Sequence, residues 1–399
     1  MSRIRIIITI IVVVLTTLLT GCTGKEPNEI AYVVALGIDS TDDDNYKITI
    51  QYANTTQISG GASESGGKAG SEIVDNVTIE APNIYAGVGL ANNIVSKSFS
   101  MSHAKLIVFS KEIAEKGVKD MIETLVRSEE IRPDVFIAVA NTTANDYLTS
   151  VNPEMEVNPA QYYQLIYQKN QLVGIPDGQL REFFTGLYTD NYDSILPVAG
   201  VIEGAGGNSQ NDDKGQSKDS QNEGSEGSSE SLDSFESKNS DENEKEKDAE
   251  KNTSKYEYDI KNYVGGETAI EKKNKAEAIG AAVFEKDKMV GELGEVETEI
   301  CKMLKGDYTY SYLTYYNNDT PDIPITVKTT QQKKPKYKID TDKKTVDIEL
   351  YIESDLYSLP ADYNVENKIE DFERDVANYT SSACTEFINN FTKKYIVTF

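Results

Sequence analysis

The chain has 399 residues and a formal net charge of −26, which becomes −28 once Arg3 and Arg5 leave with the amino-terminal segment described below. A length of this order predicts two or three domains with substantial hydrophobic cores. An acidic surface of this size repels polyanions, so the composition excludes nucleic-acid binding and attachment to anionic lipid through charge alone.

The first predicted element is a lipoprotein signal. Arg3 and Arg5 precede an apolar run from Ile6 to Leu19, which is shorter than the roughly 20 residues of a membrane-spanning helix and is typical of a cleaved export signal. The run ends in Leu19-Thr20-Gly21-Cys22, which resembles the lipobox of bacterial lipoproteins. We predict that residues 1–21 are removed and that Cys22 carries S-diacylglycerol and N-palmitoyl groups, which together anchor a protein durably. The alternative is an ordinary secretory signal followed by an unmodified cysteine.

Strands and helices alternate in the next region, residues 22–202, which is predicted to be an N-terminal α+β domain. A Gly/Ser-rich stretch from Ser59 to Ser71 is predicted to be a flexible loop between strands. The predicted strands are Ile30 to Ile38, Tyr46 to Ala53, Glu72 to Glu80, Ala104 to Phe109, Asp134 to Ala140 and Ile195 to Ile202. The predicted helices follow Pro82 or cover Glu112 to Arg127, Pro159 to Leu172 and Gly178 to Asp190.

An acidic low-complexity segment follows. From Glu203 to Lys255 there are 15 acidic and 7 basic residues, with Leu232 and Phe235 as the only large apolar side chains. Such a composition cannot bury enough apolar surface to offset the entropy of ordering. We therefore predict a disordered acidic linker at residues 203–262 and a C-terminal domain at residues 263–399.

The C-terminal domain begins with a predicted hairpin, Ala278 to Glu285 and Lys288 to Glu292. A helix is predicted at Val296 to Leu304, followed by strands at Ile323 to Thr329, Lys336 to Asp340 and Thr345 to Glu353 and by a long helix at Val365 to Lys394. The apolar stripe of the long helix is interpreted as packing against the domain's own sheet. Its members are Val365, Ile369, Phe372, Val376, Tyr379, Ala383, Phe387 and Phe391. The predicted fold class is α+β: two main globular regions of mixed sheets and helices on a lipid anchor, joined by the linker, with the long helix packed on a sheet.

Motifs for catalysis or cofactor binding fail on inspection. Gly87-Val88-Gly89 resembles the start of a dinucleotide-binding fingerprint, but the third glycine is missing because position 92 is Asn. Gly67-Lys68 is followed by Ala69, whereas a P-loop has Ser or Thr at that position. His103 is the sole histidine, which excludes multi-histidine zinc sites, and we interpret it as a structural hydrogen-bonding residue. No catalytic residue, metal site or cofactor is predicted, and the chain is expected not to be an enzyme.

Two cysteines remain beyond Cys22. Cys301 and Cys384 lie within apolar helical patterns, which favours buried thiols. A disulfide between them is the alternative in an oxidising compartment.

Several segments resemble one family when they are taken in order. They are Leu19-Thr20-Gly21-Cys22, Glu29 to Asp39, the segment Phe99 to Val108 with its Ser102-His103-Ala104-Lys105, the helix with Glu112, Ala114 and Gly117, Leu125-Val126-Arg127, Glu130-Ile131-Arg132-Pro133, Gly280 to Phe284, Lys288 to Gly291, and Glu297-Thr298. Together they are similar to the C subunit of spore germinant receptors, the GerAC-like lipoproteins of endospore-forming bacteria.

The resemblance implies a non-enzymatic subunit that lies on the outer face of the spore inner membrane. It would assemble there with a permease-like A subunit and a multi-spanning B subunit, to which nutrient binding is mainly attributed. The complex would then trigger release of ions and dipicolinate. The expected role of this chain is scaffolding or signal relay in germination.

The chain departs from the family pattern in three places. Thr23 stands where members often carry Trp, and the acidic segment after residue 202 is longer than usual. Members usually continue beyond the long helix into a strand, whereas this chain stops at Tyr395 to Phe399. The resemblance therefore implies a truncated C-terminal domain with an unpaired strand edge.

Two other classes of protein share some of these features. A solute-binding lipoprotein of an ABC importer shares the anchor and the two-lobed size, but a disordered join of this length conflicts with a rigid hinge. A lipoprotein hydrolase requires a nucleophile–base pair that the sequence does not reveal.

Overall fold

The computed structural model describes residues 3–10, 29–43, 45–53, 74–153, 156, 159–168, 174–190, 192–202, 262–268, 274–317, 320–359 and 369–394. Cys22, the loop at 59–71 and the acidic segment at 203–255 lie outside these residues, as does Val365, so the predictions made there stay predictions. None of the described helices is long and apolar enough to cross a membrane.

In the described part of the chain, nine strands form one mixed sheet, here called the large sheet. Its order is β3-β2-β1-β5-β6-β7-β8-β9, with β4 paired to β1. Strands β1, β5, β6 and β7 are parallel to one another, whereas β2, β3, β8 and β9 pair in antiparallel fashion. The strands are β1 (Ile30–Ser40), β2 (Tyr46–Ala53), β3 (Val74–Ala81), β4 (Ser98–Ser100), β5 (Leu106–Ser110), β6 (Phe136–Ala140), β7 (Ile195–Val201), β8 (Ala276–Glu285) and β9 (Lys288–Leu293).

Helices cover both faces of the large sheet. One face packs against α1 (Ile84–Ala91), α2 (Lys111–Lys116), α3 (Lys119–Val126) and α6 (Leu180–Tyr188), and the other against α4 (Ala144–Ser150) and α5 (Pro159–Gln168). Alternate residues of each central strand enter the two cores: Ile107 and Phe109 lie in the first, and Leu106 and Val108 in the second. This double coverage explains why β5 and β6 are unbroken apolar runs, as buried parallel strands usually are.

The sequence patterns did not anticipate that β8 and β9 would extend the large sheet. Strand β8 pairs with β7 from Ile195↔Val283 to Val201↔Ala276, across the acidic segment. The Asn141 side chain strengthens the junction, because its amide donates to the Gly265 carbonyl at 2.8 Å and its oxygen accepts from Val201 N at 3.1 Å. The two globular regions of the predicted α+β fold therefore share a sheet.

The remaining strands form a second sheet, here called the three-stranded sheet, in the order β10-β11-β12. Its strands are β10 (Tyr310–Asn317), β11 (Thr320–Asp340) and β12 (Thr345–Ser358). Two separate predicted strands, Ile323 to Thr329 and Lys336 to Asp340, are one strand, and β10 was not predicted. Pro335, which lies between the two predicted strands, stands at a register shift between Lys333 and Lys336, where a missing amide hydrogen is tolerated.

The predicted helix from Glu112 to Arg127 is wrong in its continuity. It is two helices, α2 and α3, because Gly117 adopts φ +123° and ends α2. Few residues other than glycine reach this conformation. Helix α4 was also missed, and its short apolar pattern gave no clear period. It is capped by the Thr143 hydroxyl, which accepts from Asp146 N at 3.0 Å, and by Asp39, whose carboxylate accepts from Ala144 N and Asn145 N.

The long helix α8 (Ile369–Lys394) packs on its own domain, as predicted. Phe372, Val376 and Tyr379 contact the core of the three-stranded sheet, whereas Phe387 and Phe391 join a core with β8 and α7 (Glu295–Lys305). The helix therefore bridges both sheets. Cys301 and Cys384 are free, buried thiols in this second core, and burial raises the pKa of each to about 11.

Candidate functional site

The parallel strands of the large sheet begin along one edge, here called the amino edge. It is defined by the first residues of the four strands: Ile30, Leu106, Phe136 and Ile195. Residues 101–105, 127–135 and 189–194 immediately precede β5, β6 and β7, so these connections gather at this edge. Loops at one edge of a rigid sheet are a common location for binding residues.

The segment Ser102-His103-Ala104-Lys105 forms the turn before β5. Met101 begins a single 3₁₀ turn and is buried, while His103 is exposed at its end. The Ser102 hydroxyl oxygen lies 3.0 Å from His103 Nδ1, and the imidazole meets the Tyr32 ring edge-to-face with centroids 4.7 Å apart. This agrees with the interpretation of His103 as a structural residue.

The segment Glu130-Ile131-Arg132-Pro133 lies beside that turn. A carboxylate oxygen of Glu130 accepts from Met101 N at 2.7 Å, which joins two motifs that are 29 residues apart. Arg132 forms a two-pronged hydrogen bond with Asp134, each N–O distance being 3.0 Å. The hydrogen bond from Arg132 lowers the pKa of Asp134. The exposed charges at the amino edge are therefore held in a defined geometry.

Helix α6 is hydrogen-bonded to the loop that precedes β6 at the amino edge. Its first amides bond to the loop before β6, with Leu180 N donating to Val135 O at 2.9 Å and Arg181 N to Pro133 O at 3.1 Å. At its other end the Tyr188 hydroxyl donates to Glu123 of α3, and this bond is the main cause of the lowered pKa of Glu123. These hydrogen bonds hold the loop before β6, which contains Glu130-Ile131-Arg132-Pro133, in a fixed position on α6.

The motif residues of the second region serve the core. Phe284 is buried and meets Phe183 edge-to-face at 5.0 Å. Glu297 accepts from Gly294 N at 3.1 Å in a capping box at the start of α7, and the Thr298 hydroxyl donates to Gly294 O at 2.7 Å. Phe284, Glu297 and Thr298 therefore help to hold β8 and the start of α7 in place, whereas Lys288 and Val290 of the same motif are exposed.

A cavity of about 390 Å³ opens next to the amino edge, between α6, α7 and the start of β7. The Lys302 ammonium lines it and donates to Ile175 O at 3.1 Å. Burial lowers the pKa of Lys302 and raises that of Asp177, which also lines the cavity. Both signs of charge meet here, so the cavity favours neither anions nor cations. Sequence patterns gave no signal for it, because Lys302 lies on the polar side of an ordinary amphipathic helix.

The other predicted features occupy ordinary structural positions. Gly87 is buried and Gly89 is exposed, and both lie within α1 and not in a turn from a strand to a helix. Among the described residues no cluster of three or more His, Cys, Asp or Glu could hold a metal ion. Cys22 lies outside the described residues, so its lipid attachment stays a prediction.

Comparisons with known proteins agree on one family. A model of the spore germination protein N-terminal domain matches residues 24–201, and a model of the spore germination B3/GerAC-like C-terminal domain matches residues 279–397. Neither describes a solute-binding protein, so that alternative has no support.

Individual relatives are distant. Spore germination protein KC of Bacillus subtilis (strain 168) is 26% identical over 176 residues, which cover 41% of this chain and 43% of that protein. Spore germination protein GerQC of Bacillus cereus is 27% identical over 104 residues, which cover 26% of this chain and 29% of that protein. The matches thus span less than half of these relatives. The crystal structure of the GerBC protein aligns with 89% of this chain and 81% of its own, at 13% identity and a TM-score of 0.43.

Proposed function

Because this chain belongs to the GerAC-like family of spore germination proteins, we propose that it is the non-enzymatic C subunit of a nutrient germinant receptor. The observation that carries the proposal is the match of both family models, in order, to the two regions on either side of the acidic segment. In this role the chain is a scaffold or a signal relay required for germination, and it assembles with the A and B membrane subunits.

The proposed location is the outer face of the spore inner membrane, with Cys22 as the anchor. The export signal and Leu19-Thr20-Gly21-Cys22 support acylation of Cys22 by S-diacylglycerol and N-palmitoyl groups. Only seven residues separate Cys22 from Ile30, and the eight Cα–Cα steps between them span at most about 28 Å. The amino edge, where β1 starts, is therefore the part of the folded chain that the anchor holds near the membrane.

The amino edge is also the proposed contact surface for the membrane subunits. The Glu130–Met101 bond and the Arg132–Asp134 pair orient exposed polar groups on a frame formed by β5, β6 and α6. Such a preorganised surface loses little conformational entropy when a partner binds.

The proposal is tested by nutrient-triggered dipicolinate release from spores whose sole receptor operon lacks this gene. The intact chain should restore release. The substitution Cys22→Ala should remove the chain from the membrane fraction and abolish release, while Thr23→Ala, at the neighbouring position, should do neither. If the intact chain is present in the spore membrane and release is not restored, the receptor role is wrong.

A matched pair of arginines tests the contact surface. Arg132 at the amino edge and Arg374 on α8 are both exposed, and each pairs with a nearby aspartate. Arg132→Glu should reduce co-purification of the A and B subunits with the chain, and Arg374→Glu should leave it unchanged. Equal yields for the two variants would exclude the amino edge as the contact.

A further inference from the structure

The tip of the β11–β12 hairpin exposes an aliphatic pair. Ile339 and Val346 are cross-strand neighbours and are 69% and 54% exposed. Tyr337 lies on the same face, two residues closer to the base, and is 52% exposed. A contiguous apolar patch at the end of a projecting hairpin is unfavourable in water and is a common sign of a contact site.

The same tip is a basic segment in an acidic chain. Residues 333–344 contain six lysines and two aspartates, a local charge of +4, whereas the whole chain has −26. Lys338, Lys343 and Lys344 are all exposed. Lysines around exposed aliphatic and tyrosine side chains are the composition that binds the interface of an anionic bilayer.

The hairpin is held at the amino edge close to its tip. The Tyr337 hydroxyl donates to the Leu304 carbonyl in the last turn of α7. In the same turn the Lys305 ammonium lies 4.9 Å from the centroid of the Tyr192 ring, which is three residues before β7. Because β7 and β1 are linked through β6 and β5 as parallel strands, the start of β1 lies on the same edge.

We propose that this tip, residues 336–347, contacts an anionic lipid surface, with Ile339 and Val346 entering the interface and Lys338, Lys343 and Lys344 meeting lipid phosphates. The inference rests on the proposed anchor at Cys22, because a chain of −26 does not reach an anionic surface through charge alone. Once the anchor holds the amino edge near the bilayer, the anionic lipid headgroups attract the basic tip. The contact sets the orientation of the chain on the membrane.

The absence of tryptophan from the chain allows a direct test. The full-length acylated chain carrying Val346→Trp is reconstituted in vesicles of phosphatidylcholine with phosphatidylglycerol and with lipids that carry a quencher on the upper acyl chain. The matched control is Tyr357→Trp in the same strand. The two positions are 54% and 57% exposed, and eleven residues of strand separate them by roughly 36 Å.

The emission of Val346→Trp should shift to shorter wavelength and be quenched, while that of Tyr357→Trp should keep the value of a solvent-exposed indole. Adding Lys343→Glu and Lys344→Glu to Val346→Trp should reduce the quenching, as should vesicles of phosphatidylcholine alone. Equal quenching in charged and uncharged vesicles would overturn the anionic contact.

Flotation of the same samples separates this inference from the anchor. If the Val346→Trp variant floats with the vesicles while its emission matches that of the control, the anchor is retained and the hairpin contact is overturned. A chain that does not float overturns the anchor, and the hairpin contact fails with it. If the membrane subunits are added and the emission of Val346→Trp shifts to shorter wavelength only in their presence and without quenching by the lipid, the hairpin contacts a protein partner and the lipid contact is likewise overturned.

Discussion

The strands of the large sheet and of the three-stranded sheet differ in their side chains and are buried to very different degrees. All five residues of β6 are buried, whereas none of the fourteen residues of β12 is. Helices cover both faces of the large sheet. In the described part of the chain, α8 packs on one face of the three-stranded sheet and the end of α7 contacts β11, and a cavity of about 1060 Å³ remains between β12 and α8. The strand that is covered on both faces is apolar throughout, whereas the strand with an open face alternates apolar and polar residues, so a side chain of the large sheet is expected to contribute more to stability.

Two phenylalanines test this comparison most strongly. Phe109 in β5 is fully buried, and Phe372 in α8 is 7% exposed and lines the cavity. Phe109→Ala should lower the free energy of unfolding by about 3–5 kcal/mol. Phe372→Ala should lower it by roughly 1–2 kcal/mol less, since its neighbours are already incompletely packed. Urea unfolding measures both, and equal losses would contradict the comparison.

Gly117 tests whether the large sheet is as tightly packed at the turn between β8 and β9 as it is in its centre. Gly117 has φ +123°, and a Cβ there would lie 2.7 Å from a carboxylate oxygen of Asp287. Gly117→Ala should cost about 1–3 kcal/mol of stability. The control Gly89→Ala, which has no atom within 4 Å of the new Cβ, should stabilise α1 by about 0.5–1 kcal/mol. A neutral Gly117→Ala would mean that the turn between α2 and α3 can relax.

Hydrogen bonds offer a finer contrast. The Tyr163 hydroxyl is buried and donates to Gln51 Oε1 at 2.6 Å, while the Tyr351 hydroxyl accepts from Lys336 Nζ at 2.5 Å on the surface of the three-stranded sheet. Tyr163→Phe leaves the Gln51 oxygen without this donor and should cost about 1–2 kcal/mol. Tyr351→Phe should change stability by less than about 0.5 kcal/mol. Thermal unfolding of both variants checks the difference.

The smallest effect is expected where the two regions meet. The Ser311 hydroxyl of β10 donates to Glu299 of α7 at 2.8 Å, and burial raises the pKa of Glu299 to about 7. Between pH 4.5 and 7 the folded chain therefore binds a proton that the unfolded chain does not, so stability falls as pH rises through this window. We expect a loss on the order of 1 kcal/mol, because the carboxyl retains some contact with solvent. Glu299→Gln keeps the acceptor and should remove this part of the slope, whereas an unchanged slope would assign it to other groups.

Elements with a self-contained periodicity were predictable from the sequence. The hairpin of β8 and β9, with its turn at Lys286-Asp287, was confirmed, because its pattern is set by residues within the element. The stripe of α8 was confirmed from Phe372 to Phe391, whereas Ile369 is 52% exposed and Val365 lies outside the described residues. Patterns failed where one residue had an unusual backbone environment. The apolar pattern continues across Gly117, but the positive φ of Gly117 divides the predicted helix into two. Pro335 lies within β11 at a register shift, which depends on the pairing of β11 with β12 and is not visible in the sequence.

The candidate site could be predicted only in pieces. The segments around His103 and Glu130 were recognisable as motifs, but the bond between Glu130 and Met101 joins residues that no local period relates. The exposed pair of Ile339 and Val346 was not recognised at all. In sequence the two residues have the pattern of ordinary strand positions, and only the structure shows that they are 69% and 54% exposed.

The sequence by itself determined the family of this chain and most of its strands and helices, since both depend on the order and spacing of side chains. Only the tertiary structure decided that β8 pairs with β7 and that the motif loops, the start of β1 and Tyr337 of the hairpin meet along one edge. The pairing is made by backbone hydrogen bonds, which carry no residue identity. The entropy of closing a loop grows only slowly with its length, so a long intervening segment neither prevents such a pairing nor reveals it.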